Sequence, residues 1–194
     1  MMLLVTTLAL GVASLCGGLA VLAHTERVIA HTHLRAVQTA YAADAAGRLA
    51  VAAVSLAPES AQWPSLGDVG GLTAGSRLMA VGPGELVDLD GRTLELNQAA
   101  ARDWPLGADT PRWRLMGWGR LPIAPAGAAP TAPRVAMWVA DDVMDRDGAA
   151  GDDANGVIMI RGEAFAAGGA ASAVIAHVRR EAGRVRVLSW RPVS

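Results

Sequence analysis

The sequence has little charge, few aromatic residues, one cysteine and no lysine. Charged residues make up 18% of its 194 residues, whereas an average soluble domain has about 25%. All 17 cationic side chains are arginine, and the net charge is −1. This balance gives no field that attracts nucleic-acid phosphates, so we expect no nucleic-acid partner. Because 52% of the residues are hydrophobic, there is ample apolar surface to bury, which excludes intrinsic disorder.

The single cysteine, Cys16, excludes an internal disulfide framework and a zinc site built from several cysteines. Common catalytic motifs are missing as well. The sequence contains no Ser-centred nucleophile elbow, Walker loop, Rossmann fingerprint or HExxH motif. We therefore expect a protein that is not an enzyme and that needs no cofactor.

Charge is absent altogether from the first 23 residues, MMLLVTTLALGVASLCGGLAVLA. As a helix this run would extend about 34 Å, enough to cross the ~30 Å hydrocarbon core of a bilayer. The run is longer than the apolar core of a signal peptide and has no basic segment before it, so we favour a retained transmembrane anchor. A signal cleaved after Ala23 is the alternative. The positive-inside rule, applied to Arg27 and Arg35, leaves the sidedness open, because a basic leader would reverse it.

The next segment, 24–56, has the period of an amphipathic helix. It contains no proline and one glycine, Gly47. Apolar residues recur at spacings of three and four, which predicts a buried stripe of Leu34, Val37, Tyr41, Ala45 and Leu49. We therefore predict one helix of about 55 residues that ends before Pro58, with an apolar first half and a second half packed on the following domain.

The rest of the chain is predicted to form a sheet domain at 84–194. Residues 57–83 are rich in Gly, Pro and Ser and predict a connecting loop. Asp90-Gly91, between the runs 85–89 and 92–96, predicts a two-residue hairpin. Short connections favour antiparallel neighbours, so we expect an α+β fold with the long helix on one face of the sheet. Five further strands are predicted at 112–121, 134–143, 157–166, 173–180 and 184–190.

Three segments carry a family resemblance. The uncharged N-terminal span leads into RAVQTAYAADAA, which begins at Arg35. The later part of the chain contains GVIMIRGEAFAAGGAASAVIAHVRR, and a final run reads RVRVLSWRPV. In this order the segments resemble the exit of the hydrophobic helix, the closing hairpin and the C terminus of PilX-type minor pilins of the type IV pilin-like superfamily. The matched parts are 1–56 and 155–194.

This resemblance implies a subunit that is anchored in the inner membrane by one span and then enters an extracellular type IV pilus or a related secretion fibre. Its partners would be lipid before assembly and other pilin-like subunits afterwards, with the sheet domain outside the cytoplasm. The positions that match the helix signature are Arg35, Tyr41 and Asp44. The implied assembly face comprises Leu4, Leu8, Gly11, Leu15, Gly18 and Leu22.

The sequence departs from the family pattern at its start. No basic leader is present, and Val5 stands where major pilins carry a glutamate if Met1 is the mature start. A subunit without that carboxylate cannot make its salt bridge to the N-terminal amine of a neighbour. The resemblance therefore favours a minor subunit with a structural, adhesive or initiating role.

The segment Asp141–Asn155 concentrates carboxylates, with six aspartates and one arginine. Carboxylates and an asparagine carbonyl in a glycine-containing loop are ligands that Ca²⁺ accepts. The spacing does not match an EF-hand, because alanines occupy the places of a ligand and of the invariant glycine. We favour a solvated acidic loop without metal over a Ca²⁺ site, whose candidate ligands are Asp145, Asp147, Asp152 and Asp153.

Histidine and tryptophan give the remaining candidates. The spacing of His24, His31 and His33 does not converge on a metal, so a polar collar beside the membrane is the simpler interpretation. In the predicted strand 112–121, side chains alternate between two faces, and one face carries Arg112, Arg114, Trp118 and Arg120. This face would suit contact with a partner if it is exposed to solvent. Trp113 and Leu115 are expected in the core. We expect Trp138 beneath the long helix and His177 to be structural.

A second class of function stays open at this level. The chain could be an extracytoplasmic binding domain, stabilised by Ca²⁺, that is tethered by the span or secreted after cleavage. A membrane-purified protein whose N terminus lies near His24 would support this alternative over the fibre subunit.

Overall fold

The computed structural model describes residues 2–57, 72, 76–121, 132–145, 155–181 and 184–193. Over these residues the fold is α+β, as predicted, with a long N-terminal helix followed by an antiparallel sheet. The chain forms two compact units, residues 1–37 and residues 38–194. The second unit, which we call the sheet domain, includes the last part of α1 as well as the predicted 84–194. The elements in chain order are α1 (Met2–Leu56), β1 (Leu78–Gly82), β2 (Glu85–Asp88), α2 (Leu89–Asp103), a 3₁₀ turn (Gly107–Asp109), β3 (Arg114–Gly119), β4 (Arg134–Asp141), β5 (Val157–Ala166), β6 (Ala170–Glu181) and β7 (Arg184–Val193).

The single long helix predicted from the sequence is confirmed, since α1 contains 55 residues. It is apolar enough to cross a membrane, with a mean hydropathy of 2.0 in its most apolar 18-residue window. The hydroxyls of Thr6, Thr25 and Thr32 each donate to the carbonyl four residues earlier, at 3.2, 3.0 and 2.9 Å. Such bonds satisfy a hydroxyl group within the helix itself, which suits an apolar surrounding.

The face of α1 that packs on the sheet agrees with the predicted stripe only in part, since Leu49 packs against the core and Ala45 is half-buried. The largest member of that stripe, Tyr41, is 74% exposed, and Leu34 is also exposed. The buried residues of the packed face are mostly small: Thr39, Ala42, Ala43, Ala46, Gly47, Ala50, Ala53 and Val54. Small residues are required because the helix backbone lies against β5. A Cβ atom at Gly162 would stand 2.6 Å from the backbone nitrogen of Gly47, so large side chains would hold the two backbones apart.

The predicted hairpin around Asp90-Gly91 is wrong. Strand β2 pairs instead with β1, which lies within the predicted loop 57–83, and the chain turns at Pro83-Gly84. Asp88 then begins a helix, because its carboxylate accepts the Asp90 N–H at 3.0 Å and caps α2. Asp and Gly favour helix starts as well as turns, so the dipeptide alone did not distinguish the two.

The five-stranded sheet has the order β3-β4-β5-β6-β7 and is antiparallel throughout, as predicted. The last 19 residues of α1 pack on one face and α2 on the other, so both faces of the central strands are buried. For this reason β4 is apolar at nearly every position, with Met137 and Trp138 facing opposite sides. Trp138 is covered by α2, not by the long helix as predicted.

Candidate functional site

The first part of α1 offers an apolar surface with gaps between its large side chains. Leu8, Leu15 and Leu22 are each more than 60% exposed, and the side chain of Leu4 lies outside the described residues. Cβ atoms built at Gly11 and at Gly18 would meet no atom within 4 Å. The described members of the predicted assembly face are therefore exposed, and their role in assembly stays a prediction.

The histidines after the apolar run lie on the surface of the same helix. His24, His31 and His33 are exposed. Among the described residues, no group of three or more His, Cys, Asp or Glu side chains is placed to hold a metal ion. A polar collar at this height of the helix stays a prediction.

One residue of the helix signature, Asp44, is linked to strand β7 through Arg48. Arg35 is exposed in the first unit, and Tyr41 points outward from the second. Asp44 accepts a hydrogen bond from Arg48 Nε at 2.7 Å, and the Arg48 guanidinium lies 5.3 Å from the ring centroid of Trp190. This cation–π contact links the helix to the final strand.

The predicted surface face at 112–121 does not form as one face. Arg112, Arg114 and Arg120 are exposed, and Trp113 is buried. A register shift between Leu115 and Gly117 breaks the alternation of β3. Trp118 therefore packs with Leu115 and Trp113 on the α2 side, whereas Arg114 pairs with Val139, which faces α1. The bulge, which the sequence pattern did not reveal, separates the tryptophan from this arginine.

The described part of the acidic segment is held by hydrogen bonds at its base. Asp145 Oδ2 accepts the Asn155 N–H at 3.1 Å, and Asp142 Oδ1 accepts the Asn155 side-chain amide at 2.8 Å. These contacts join the end of β4 to the start of β5. The other three candidate ligands, Asp147, Asp152 and Asp153, lie outside the described residues, so Ca²⁺ binding stays a prediction.

Sequence reasoning missed a buried ionic network between α2 and β5. Glu163 is 2% exposed. It accepts two hydrogen bonds from Arg92, at 3.0 Å from Nε to Oε2 and 2.8 Å from Nη2 to Oε1. Arg161 Nε and Nη2 also donate to Glu163 Oε1. The hydrogen bonds to Glu163 raise the pKa of Arg92 above its usual value.

A signal for this network exists in the sequence. Arg161 and Glu163 are two apart within the apolar run of β5, so they share one face of a strand that is otherwise buried. Buried charges of this kind need partners. Their partner, Arg92, lies in the predicted strand 92–96 of the incorrect hairpin, so the sequence pattern does not place it beside Glu163.

Two further polar contacts hold α2 on the sheet. Trp138 is fully buried, and its indole Nε1 donates to Thr93 Oγ1 at 2.9 Å. Asn97 pairs with the backbone of Trp113, accepting its N–H at 2.7 Å and donating to its carbonyl at 3.2 Å. Each bond satisfies a group that would otherwise be buried without a partner.

A basic area lies on the α2 side of β6 and β7. Arg179 and Arg186 are directly opposite each other, and both are exposed. His177 Nδ1 lies 2.8 Å from Ser189 Oγ. Burial is the main cause that lowers the pKa of His177, and the positive charge of Arg191 lowers it further, while Asp142 acts in the opposite direction.

Comparisons with protein-family models, with curated proteins and with solved structures find no match. The structure itself therefore defines a fold class and no family. The chain is an α+β protein with one long N-terminal helix that could span a membrane. The pilin-like function is a proposal that rests on the residues of the chain and on the form of α1.

Proposed function

We propose that the chain is a membrane-anchored minor subunit of a type IV pilus or a related secretion fibre, with a structural or initiating role and no catalytic one. The observation that supports this most is the form of α1, a single helix of 55 residues. Its first part is uncharged and exposed on every described side, and its last part packs on the sheet.

The two environments that the proposal requires are chemically alike. Lipid would cover the apolar part of α1 in the inner membrane, and neighbouring helices would replace lipid in the fibre. Both surroundings are apolar, so the helix can exchange one for the other without exposing charge. The sheet domain would then lie outside the cytoplasm, on the surface of the fibre.

Glycines favour a fibre over a simple anchor. An anchor needs only sufficient hydrophobicity, which leucine and valine supply. Gly17 and Gly18, next to each other, have open space where their Cβ atoms would be. Small residues at a helix surface permit the close approach of a second helix in an apolar medium.

The first test is to follow the full chain in cells of its native host, with fibres sheared from the surface and separated from membranes. We expect the chain in both fractions, with an N terminus upstream of His24. A chain that occurs only in the membrane, or one that begins near His24, would refute the proposal and favour a tethered or secreted binding domain.

A charge at the centre of the span tests the role of the helix. Leu10→Arg should prevent membrane insertion and fibre entry, because an arginine at mid-membrane costs about 2.5–3.5 kcal/mol on insertion scales. The matched control is His33→Arg, which adds the same side chain to the exposed polar part of α1 and should retain both.

A separate pair of variants distinguishes assembly from anchoring. Gly18→Leu fills the proposed assembly face without a clash within the chain, so we expect normal membrane insertion and loss of the fibre fraction. Ala20→Leu, about 200° around the helix from Gly18, should have a smaller effect. Equal fibre content in Gly18→Leu, Ala20→Leu and the wild type would show that the predicted face is not a contact surface in the fibre.

A further inference from the structure

A small cavity lies beside the ionic network between α2 and the strands β5, β6 and β7. Its volume is about 180 Å³. Its lining consists of three charged residues, Arg92, Arg161 and Glu163, together with Ala171, Ser172, Ala173 and Val193. Sites for drug-sized ligands begin at roughly 300 Å³, so this cavity suits a smaller molecule or one functional group.

Arg161 has donor groups that its protein partner does not use. Its Nε and Nη2 both donate to Glu163 Oε1, and Nη1 has no hydrogen bond to any described residue. The side chain is only 9% exposed. Among the described residues, no buried side-chain nitrogen or oxygen lacks a partner. Nη1 must therefore be accessible, and the accessible space beside Arg161 is the cavity that it lines.

The charged side chains of the lining offer donors, and both carboxylate oxygens of Glu163 already accept hydrogen bonds. Glu163 Oε1 receives hydrogen bonds from both arginines, and Oε2 receives one from Arg92. The lining therefore carries two guanidinium charges against one carboxylate. Glu95 lies outside the lining but pairs with Arg92 at 2.8 Å. Its charge therefore offsets that of Arg92, and Arg161 is the cation of the lining whose donors are not all used.

We propose that this cavity binds the carboxylate group of a small organic acid, with Arg161 Nη1 as its main donor. A carboxylate has acceptor atoms only and matches the fork geometry of a guanidinium group. The alanines and Val193 form an apolar wall that accommodates a short aliphatic chain. The site is independent of the fibre proposal, because all of its residues lie in the sheet domain.

The test uses the full chain in detergent micelles, labelled at its alanine methyl groups and titrated with acetate while NMR spectra are recorded. We expect saturable shifts at Ala171 and Ala173. Acetamide, which has nearly the same shape and no charge, should bind at least about tenfold more weakly. Arg161→Met should weaken acetate binding by a similar factor. Arg179→Met removes an exposed arginine of β6 that is outside the lining and should leave binding unchanged.

A second variant keeps the test valid if Arg161→Met does not fold. Ala171 is exposed, so Ala171→Leu fills the cavity without altering the ionic network, and it should abolish acetate binding in a folded domain. Non-saturable shifts, equal binding of acetate and acetamide, or an equal loss in Arg179→Met would each overturn the proposal.

Discussion

The two helices cover the opposite faces of the five-stranded sheet in different ways. Helix α1 packs through alanine and glycine, and its backbone contacts that of β5 directly. Helix α2 packs through side-chain hydrogen bonds and ion pairs, such as Arg92 to Glu163 and Thr93 to Trp138. Gly162 and Glu163 are consecutive in β5 and face these two helices, so one step along the strand changes the kind of contact.

Because the two helices pack differently, two different kinds of substitution should destabilise the sheet domain. On the α1 side, stability depends on the absence of side-chain atoms, so adding a single methyl group is harmful. On the α2 side, stability depends on the presence of matched polar groups, so removing one partner is harmful. Neighbouring residues of one strand should therefore respond in opposite ways to a change in size.

The largest effect is expected on the α2 side, from Glu163→Ala. This change leaves two arginines without their common acceptor, and breaking a buried ion pair costs about 3–5 kcal/mol. The measurement is urea unfolding of the full chain in detergent, followed by near-ultraviolet circular dichroism. All six tryptophans come after residue 57, so this signal reports on the sheet domain.

A double replacement provides the control for this prediction. Replacing a buried ion pair as a whole by apolar residues is often close to neutral. We therefore expect Arg161→Met combined with Glu163→Leu to recover part of the lost stability. If the double variant is less stable than Glu163→Ala, the network contributes through contacts other than charge, and the contrast between the two faces fails.

The next effect is expected on the α1 side, from Gly162→Ala. The new Cβ atom would lie 2.6 Å from the Gly47 nitrogen and 2.8 Å from the Ala43 carbonyl oxygen. Backbone atoms cannot move aside as a side chain can, so we expect a loss of about 1–3 kcal/mol. The same unfolding experiment measures it.

A glycine in the first part of α1 supplies the matched control for that change. Gly17→Ala adds the same methyl group where nothing lies within 4 Å, and alanine favours a helix over glycine by about 1 kcal/mol. We expect no loss of stability in the sheet domain. Equal losses at Gly17 and Gly162 would show that close backbone contact does not explain the small residues of α1.

The sequence predicts the elements of this fold better than it predicts the contacts between them. The long helix and the five strands of the main sheet follow from charge distribution and from hydrophobic period, which are local properties. The packed face of α1 does not follow from local properties, because a period of three and four residues is marked most strongly by large apolar residues such as Tyr41. The actual contact depends on alanines and on the distance to Gly162, which only the folded chain defines.

The ionic network beside the cavity was likewise only partly predictable from the sequence. Arg161 and Glu163, two charges in the apolar strand β5, already indicate a buried pair. The third member, Arg92, comes from α2, some 70 residues earlier in the chain. Asp90-Gly91 favours a tight turn in isolation. The cap from Asp88 and the burial of Leu89 and Leu96 make the region a helix instead, which is a tertiary effect.

The smallest effect concerns charge on the α2 side of β6 and β7. Burial and the charge of Arg191 lower the pKa of His177 in the folded chain, whereas the pKa of an unfolded histidine is about 6.5. Between the folded and the unfolded pKa, the unfolded chain binds more protons, so this residue reduces stability as the pH falls through that interval. The variant His177→Gln removes this titration and can retain the hydrogen bond to Ser189. We expect the wild type to lose more stability than this variant between pH 7.5 and pH 5.5, measured by urea unfolding.

The comparison with His177→Gln controls for the carboxylates, because they titrate in both proteins and their contribution cancels. Parallel curves, or a relative gain of stability by the wild type at low pH, would show that this part of the sheet accepts a further positive charge beside Arg191 without cost.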